Sequence, residues 1–236
     1  MLLMNTAKNI VHSFSHLFFP HTCAGCGNDL IAQEQLLCFQ CIGNLPFTGF
    51  ESHGENPLEK IFWGRVSISK AMSLLYFTKD SIMQNLLHEF KYKGKKEIGY
   101  YFGRMMGNAI INSERFYDID ALVPLPLFAS KEKRRGYNQS VIICSGMAEI
   151  VNIPVLNNAV VRTAATETQT HKNRIERWQN IEGKFELIDP SSLTDKHILL
   201  VDDVVTTGAT IEACAAVLLQ APNTRISIAT LASASL

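Results

Sequence analysis

The stretch from His197 to Thr210, HILLVDDVVTTGAT, constrains this chain more than any other. Ile198, Leu199, Leu200 and Val201 form an unbroken apolar run, as suits a strand covered on both faces. Asp202 and Asp203 follow at its carboxyl end, where open α/β sheets bind their ligands. Thr206, Thr207, Gly208, Ala209 and Thr210 then open a helix and offer hydroxyls and free backbone N–H groups to a phosphate. Carboxylates repel phosphate but suit ribose hydroxyls or Mg²⁺. The combination asks for a ligand with both a sugar and a phosphate.

The neighbouring sequence supplies a sheet for this strand. ALVPLP reads as a strand ending in a sharp turn, followed by the helix GYNQSVIICSGMAEIV. NAVVRT, GKFELI and ILLVDD read as further strands, and RISIATLA as a last one after the helix ATIEACAAVLLQ. Strands alternating with helices predict an α/β fold with a doubly wound parallel sheet. Upstream, VSISKAMSLLYFT is β-rich enough for one or two strands, and residues 81–91 and 96–112 have the look of helices, the second with small residues on one side.

Cys23, Cys26, Cys38 and Cys41 form two CxxC pairs with eleven residues between them. Two such knuckles can close a tetrahedral sulfur shell around Zn²⁺. Gly25 and Gly27 free the backbone to turn around the first pair. Four thiolates leave no open coordination position, so the role expected of the metal is structural. Two disulfides, or buried thiols without metal, are the alternatives, and a reducing compartment disfavours the first. His21 and His53 could substitute as ligands, although lone histidines nearby are usually bystanders; Cys144 and Cys214 sit in apolar helical contexts as core residues, and His88 and His197 receive no role.

The 236 residues divide on this reading into a docking helix at 1–19, a zinc-binding, zinc-ribbon-like module at 20–50, a linker with a short helix at 51–64 and the main domain at 65–236. The docking helix rests on Ile10, Phe14, Leu17 and Phe18 at helical spacing before Pro20. The same segment is broken by His12, Ser13, Ser15 and His16 and lacks a small-residue cleavage site, so it is not expected to be a signal peptide. No apolar run approaches the roughly 20 residues of a membrane span. The expected compartment is the cytoplasm. A formal net charge of zero argues against wholesale electrostatic binding of nucleic acid, though not against local basic patches.

Three such patches exist. LVPLPLFASKEKRRGYNQ couples a strand end to a basic, glycine-containing loop, and Arg135, Gly136, Asn138 and Gln139 suit a diphosphate held by a guanidinium fork and backbone amides. Residues 162–185 are long for a connection between strands. Within them Arg174, Arg177 and Asn180 recur every three residues, as expected of a lid that closes over an anion and excludes water. FKYKGKK interleaves Lys91, Lys93, Lys95 and Lys96 with aromatics and can stack bases and track phosphates, although a solvated helix end accounts for it too.

The segment VDDVVTTGAT resembles the signature of type I phosphoribosyltransferases, which bind 5-phosphoribosyl-1-diphosphate (PRPP). The double CxxC, FKYKG, VPLP with RRGYNQ, TETQT with RIERWQN, and VDDVVTTGAT occur in the order of the ComF family, which is associated with DNA uptake in natural competence. The resemblance covers nearly the whole chain. It implies a type I phosphoribosyltransferase-like domain in which Asp202 and Asp203 contact the ribose, directly or through Mg²⁺, and Thr206, Thr207, Gly208, Ala209 and Thr210 cradle the 5′-phosphate. Arg135 would face the diphosphate, and Arg174 and Arg177 would act during catalysis. The chain opens MLL, without the cysteine nucleophile of a glutamine amidotransferase domain, so glutamine-dependent amide transfer is not expected. Two functions remain open. One is Mg²⁺-dependent phosphoribosyl transfer to an unknown acceptor. The other is a non-catalytic component that binds single-stranded DNA or competence proteins and uses the PRPP site as a sensor.

Overall fold

A computed structural model describes residues 21–29, 35–79, 81–163 and 184–234. The docking helix expected at 1–19, and Arg174, Arg177 and Asn180 of the expected lid, lie outside the described residues.

The apolar run before Asp202 lies at the centre of the molecule. Ile198, Leu199, Leu200 and Val201 are fully buried in β5 (His197–Val205). On one side β5 pairs with β6 (Arg225–Ala234), and β6 with β1 (Ala71–Phe77); on the other it pairs with β2 (Ala121–Pro124). All three pairings are parallel, with Leu199 opposite Leu122 and Ser227. The chain is therefore α/β with a parallel central sheet. Parallel strands need crossover connections. Helices α3 (Ile82–Tyr92) and α4 (Lys96–Ile111) join β1 to β2, while α7 (Ala209–Leu218) joins β5 to β6. Two short elements precede the sheet, α1 (Phe39–Gly43) and α2 (Pro57–Phe62). Helix α2 falls in the segment expected to be a linker, yet Leu58 and Phe62 are fully buried.

Between β2 and β5 come α5 (Ala129–Arg135), α6 (Gln139–Val151), β3 (Val160–Arg162) and β4 (Phe185–Leu187). Two expectations need correction here. NAVVRT and GKFELI do form strands, but β3 and β4 pair antiparallel with each other, apart from the main sheet. Their burial explains it: Val160 and Phe185 are buried while Val161 and Glu186 are exposed, the alternation of a ribbon with one wet face. The basic segment before Gly136 is helix α5 rather than a loop. It stops where Gly136 turns left-handed (φ 81°) and its N–H caps the Glu132 carbonyl at 2.7 Å.

Helices α4 and α6 cross with almost no space between them. A side chain on Gly103 would strike the carbonyl of Ile143, and one on Gly146 the carbonyl of Tyr100. The small-residue side anticipated for the second helix is this contact. At the free edge of β1, Pro46–Thr48 supply backbone partners: the Thr48 N–H donates to the Leu74 carbonyl (3.1 Å) and the Tyr76 N–H to the Pro46 carbonyl (2.8 Å). An otherwise open sheet edge is thereby covered.

Candidate functional site: the carboxyl end of β5

The sheet itself creates the opening. Pairing between β2 and β5 ends at Pro124 opposite Val201, whereas pairing with β6 runs on to Val205. The strand is thus longer than ILLVDD. From Asp202 onward it has a neighbour on one side only, and a cavity of about 200 Å³ fills the other. Lys91, Arg135, Gln139, Arg162, both aspartates and residues 204–211 are among its walls.

Successive strand residues face opposite ways. Asp202 meets α6, where its carboxylate accepts from the Ser140 hydroxyl (3.2 Å) and from the Asp203 N–H (2.8 Å). Asp203 meets α3, where Lys91 Nζ stands 2.8 Å from its Oδ2. Burial, and next the adjacent Asp203 charge, push the Asp202 carboxyl up to about 7.

Beyond the aspartates the chain turns into α7. Gly208 holds φ 75° at the helix cap, and no side chain caps the first turn, leaving its N–H groups open to the cavity. A Cβ at Gly208 would also lie 2.9 Å from both Ile61 and Phe62, so glycine is required twice over. Arg65 braces this turn: one guanidinium nitrogen donates to the carbonyls of Ile61 and Thr207 at 3.0 Å each, and the other pairs with Glu212 of α7. The Thr207 carbonyl dipole is thereby engaged by a cation rather than left bare beside the N–H groups.

The wall opposite is donor-rich. Asn138 caps α6 through the Ser140 N–H (3.0 Å) and donates to the Leu125 carbonyl (3.0 Å), fixing the turn after β2. Arg135 donates to Gln139 Oε1 at 2.7 Å. Among the described residues, Arg135 Nε and Gln139 Nε2 are buried donors with no acceptor, and Gln139 is only 2% exposed. Buried donors of this kind are rare unless a ligand or water completes them. Arg162, at the end of β3, adds a third basic group; burial depresses its guanidinium while Asp202 supports it.

The site therefore gathers Asp202, Asp203, Thr206, Thr207, Gly208, Ala209, Thr210 and Arg135 around one cavity. Lys91, expected in a nucleic-acid segment, belongs to this cavity instead. The other lysines of FKYKGKK lie elsewhere: Lys93 and Lys95 pair with Glu89 at 3.2 and 2.6 Å, and Lys96 covers the Tyr137 ring. Ser140, Arg162 and Arg65 went unrecognised in the sequence. Arg162 sits at a strand end, the same signal that marked Asp202; Arg65 carries none, because its partners at the turn, Thr207 and Glu212, are about 140 residues away.

The cysteines converge as their spacing suggests. The sulfurs of Cys23, Cys26, Cys38 and Cys41 all lie within 4.8 Å of one another, and all four are free thiols. Cys38 caps α1 by accepting from the Cys41 N–H, and the Gly25 and Cys38 N–H groups donate to Cys23 Sγ at 3.4 and 3.2 Å. Burial pushes the Cys23 thiol up, but these backbone donors prevail and bring it down to about 6. Burial, then the neighbouring sulfurs, push Cys41 the other way. Cys26 and Cys38 sulfurs are 3.7 Å apart, too far for a disulfide and close to the edge of about 3.8 Å of a tetrahedron with 2.3 Å bonds. The donor set fits a metal ion.

Residues 137–235 match the phosphoribosyl transferase domain family, which takes in the turn before α6, both aspartates and the α7 turn. That part of the chain is thus similar to phosphoribosyl transferase domains. Over 209 residues it is 27% identical to competence protein F of Haemophilus influenzae, covering 82% of this chain and 89% of that protein. It is 32% identical over 138 residues to the DNA utilization protein YhgH of Escherichia coli, covering 57% of this chain and 60% of its relative. With competence protein ComFC of Bacillus subtilis it shares 29% over 148 residues, 61% of this chain and 56% of the other. The chain is similar to the competence protein F, ComFC and YhgH proteins, and spans between about half and nine-tenths of their lengths. Among solved structures, the glutamine PRPP amidotransferase from B. subtilis aligns at 17% identity over 61% of this chain and 30% of that one, with a TM-score of 0.41. Among the described residues no helix is long and apolar enough to cross a membrane.

Proposed function

We propose that the cavity at the end of β5 binds PRPP with Mg²⁺ and transfers its phosphoribosyl group, in a protein that serves DNA uptake and utilization. One observation carries this reading: two carboxylates, an uncapped helix N-terminus and acceptor-less basic and amide donors line a single cavity of about 200 Å³. Few ligands other than a sugar bearing both a phosphate and a diphosphate call on all three. Asp202 and Asp203 accept from the ribose hydroxyls, Thr206 to Thr210 hold the 5′-phosphate, and Arg135 with Gln139 donates to the diphosphate. When Mg²⁺ is bound it supplies further neutralisation of the diphosphate, and hard carboxylate oxygens suit it. As an acceptor bonds to ribose C1, the C1–O bond to diphosphate breaks, and Arg135 and Arg162 stabilise the charge that leaves. The acceptor is undefined by fold, since phosphate sites of this kind serve many acceptors.

The names of the relatives support a place in competence and DNA utilization. The four thiols hold a structural Zn²⁺ on this reading, and free thiols suit the cytoplasm. A non-catalytic role on single-stranded DNA draws less from FKYKGKK than its composition promises, since Lys91 faces the cavity and Lys96 lies over Tyr137, which leaves Lys93 and Lys95 exposed beside Glu89.

Calorimetry with PRPP and Mg²⁺ tests the site. The double variant Asp202→Asn, Asp203→Asn is expected to stay folded and lose binding; unchanged affinity would overturn the reading. Pyrophosphate release on incubation with PRPP, Mg²⁺ and a panel of acceptors tests turnover.

A further inference from the structure

The Lys91–Asp203 pair is out of place in a site built to offer Asp203 to a sugar. While the ammonium stands 2.8 Å from Oδ2, it takes up one lone pair of that oxygen and repels a divalent cation from it. The backbone that carries Lys91 is fixed on both flanks. Phe90 is fully buried against Gly99, and its carbonyl accepts from the Tyr137 hydroxyl. Tyr92 lies under the Arg135 guanidinium, 5.4 Å from ring centre to carbon. The FKY triplet is thus wedged against the turn that carries Arg135 and Gln139. The four-carbon stem of Lys91 remains free to swing its charge within the cavity. Arg135 and Gln139 each present there a buried donor that lacks an acceptor among the described residues.

We propose that Lys91 is a diphosphate-binding residue held on Asp203 while the site is open: ligand entry gives Asp203 to the ribose or its cation and passes the ammonium to the diphosphate beside Arg135. The inference rests on the sugar-diphosphate reading above and names a residue that composition alone assigns to nucleic acid. An exchange of partners explains why a lysine is used. Its point charge can serve a carboxylate and then a phosphate without a fixed fork geometry.

Three probes separate this from a merely structural pair: PRPP with Mg²⁺, inorganic pyrophosphate with Mg²⁺, and ribose 5-phosphate, each titrated calorimetrically into the unaltered protein, Lys91→Met and Lys91→Arg. Lys91→Met is expected to weaken PRPP and pyrophosphate by about ten- to a hundredfold, the worth of one charge-assisted hydrogen bond. Ribose 5-phosphate should bind it at least as tightly as the unaltered protein, because Asp203 is released. Lys91→Arg should recover most of the loss. Equal weakening of all three ligands, or none, overturns the proposal. Failure of the unaltered protein to bind PRPP overturns the sugar-diphosphate reading, and this inference with it.

Discussion

At the scale of single residues, the carboxyl of Asp202 sets the behaviour of the site. Burial, then the charge of Asp203, raise it to about 7, above the ~3.9 of an unfolded aspartate. Between those values the folded chain holds a proton that the unfolded chain has lost, so this residue's contribution to stability falls as pH rises from about 4 to about 7. Asp202→Asn removes that loss. It is expected to raise stability by about 1–2 kcal/mol at pH 8 and to change it little at pH 4, as read from thermal melts. Binding should move the opposite way. A ribose or cation takes the ionised form, so PRPP affinity should rise from pH 6 to pH 8, with a proton released on binding when buffers of different ionisation heat are compared. A pH-independent affinity would exclude Asp202 from the ligand. The aspartates and the turn were legible because strand, carboxylates and helix start are contiguous in sequence. Lys91 and Arg162 join the cavity from α3 and β3, and no local pattern announces such a meeting.

At the scale of elements, periodicity was informative wherever one face decided burial. The run Ile198–Val201 is the middle of a parallel sheet, and α3 buries Met83, Leu86, Leu87 and Phe90 at helical spacing. It failed for β3 and β4, each three residues long, where β-rich composition cannot tell a sheet strand from a separate ribbon. The basic charge of α5 likewise masked a helix whose stop signal, Gly136, is plain once seen. The contact of α4 with α6 yields a test at this scale. Replacing Gly103 by Ala gains roughly 1 kcal/mol of helix propensity, yet it drives a methyl into the Ile143 carbonyl, which cannot rotate away. Overpacking of this kind costs about 1–3 kcal/mol or more and should prevail. Gly103→Ala is expected to lower the denaturant midpoint, whereas Gly43→Ala, with nothing within 4 Å of its new methyl, should not. Equal behaviour of the two would mean that the helices do not cross so closely.

For the whole molecule, the question is what the cysteine cluster holds in place. Its spacing was legible; its attachment was not, because backbone pairing across nearly thirty residues leaves no trace in composition. Pro46–Thr48 finish the edge of β1, and Gly25 lies against Ile82 at the start of α3. Arg115 bonds the carbonyls of Phe50 and His53 and pairs with Glu59, whose carboxylate accepts from the Ala71 N–H (3.1 Å) at the head of β1. Residues following the cysteines are therefore woven into the sheet. Removing a bound metal should loosen this border first. In a chain of this size a loss of about 3 kcal/mol lowers the melting temperature by roughly 6–12 °C. A chelator, or Cys26→Ser, is expected to produce a fall of that order. Amide exchange should locate it: the N–H groups of Thr48 and Tyr76 should lose protection, while those of Leu199 and Leu200 in β5 keep theirs. If protection at Thr48 and Tyr76 survived demetallation unchanged, the β1 border would stand without metal, and the cluster would have to serve something other than the sheet.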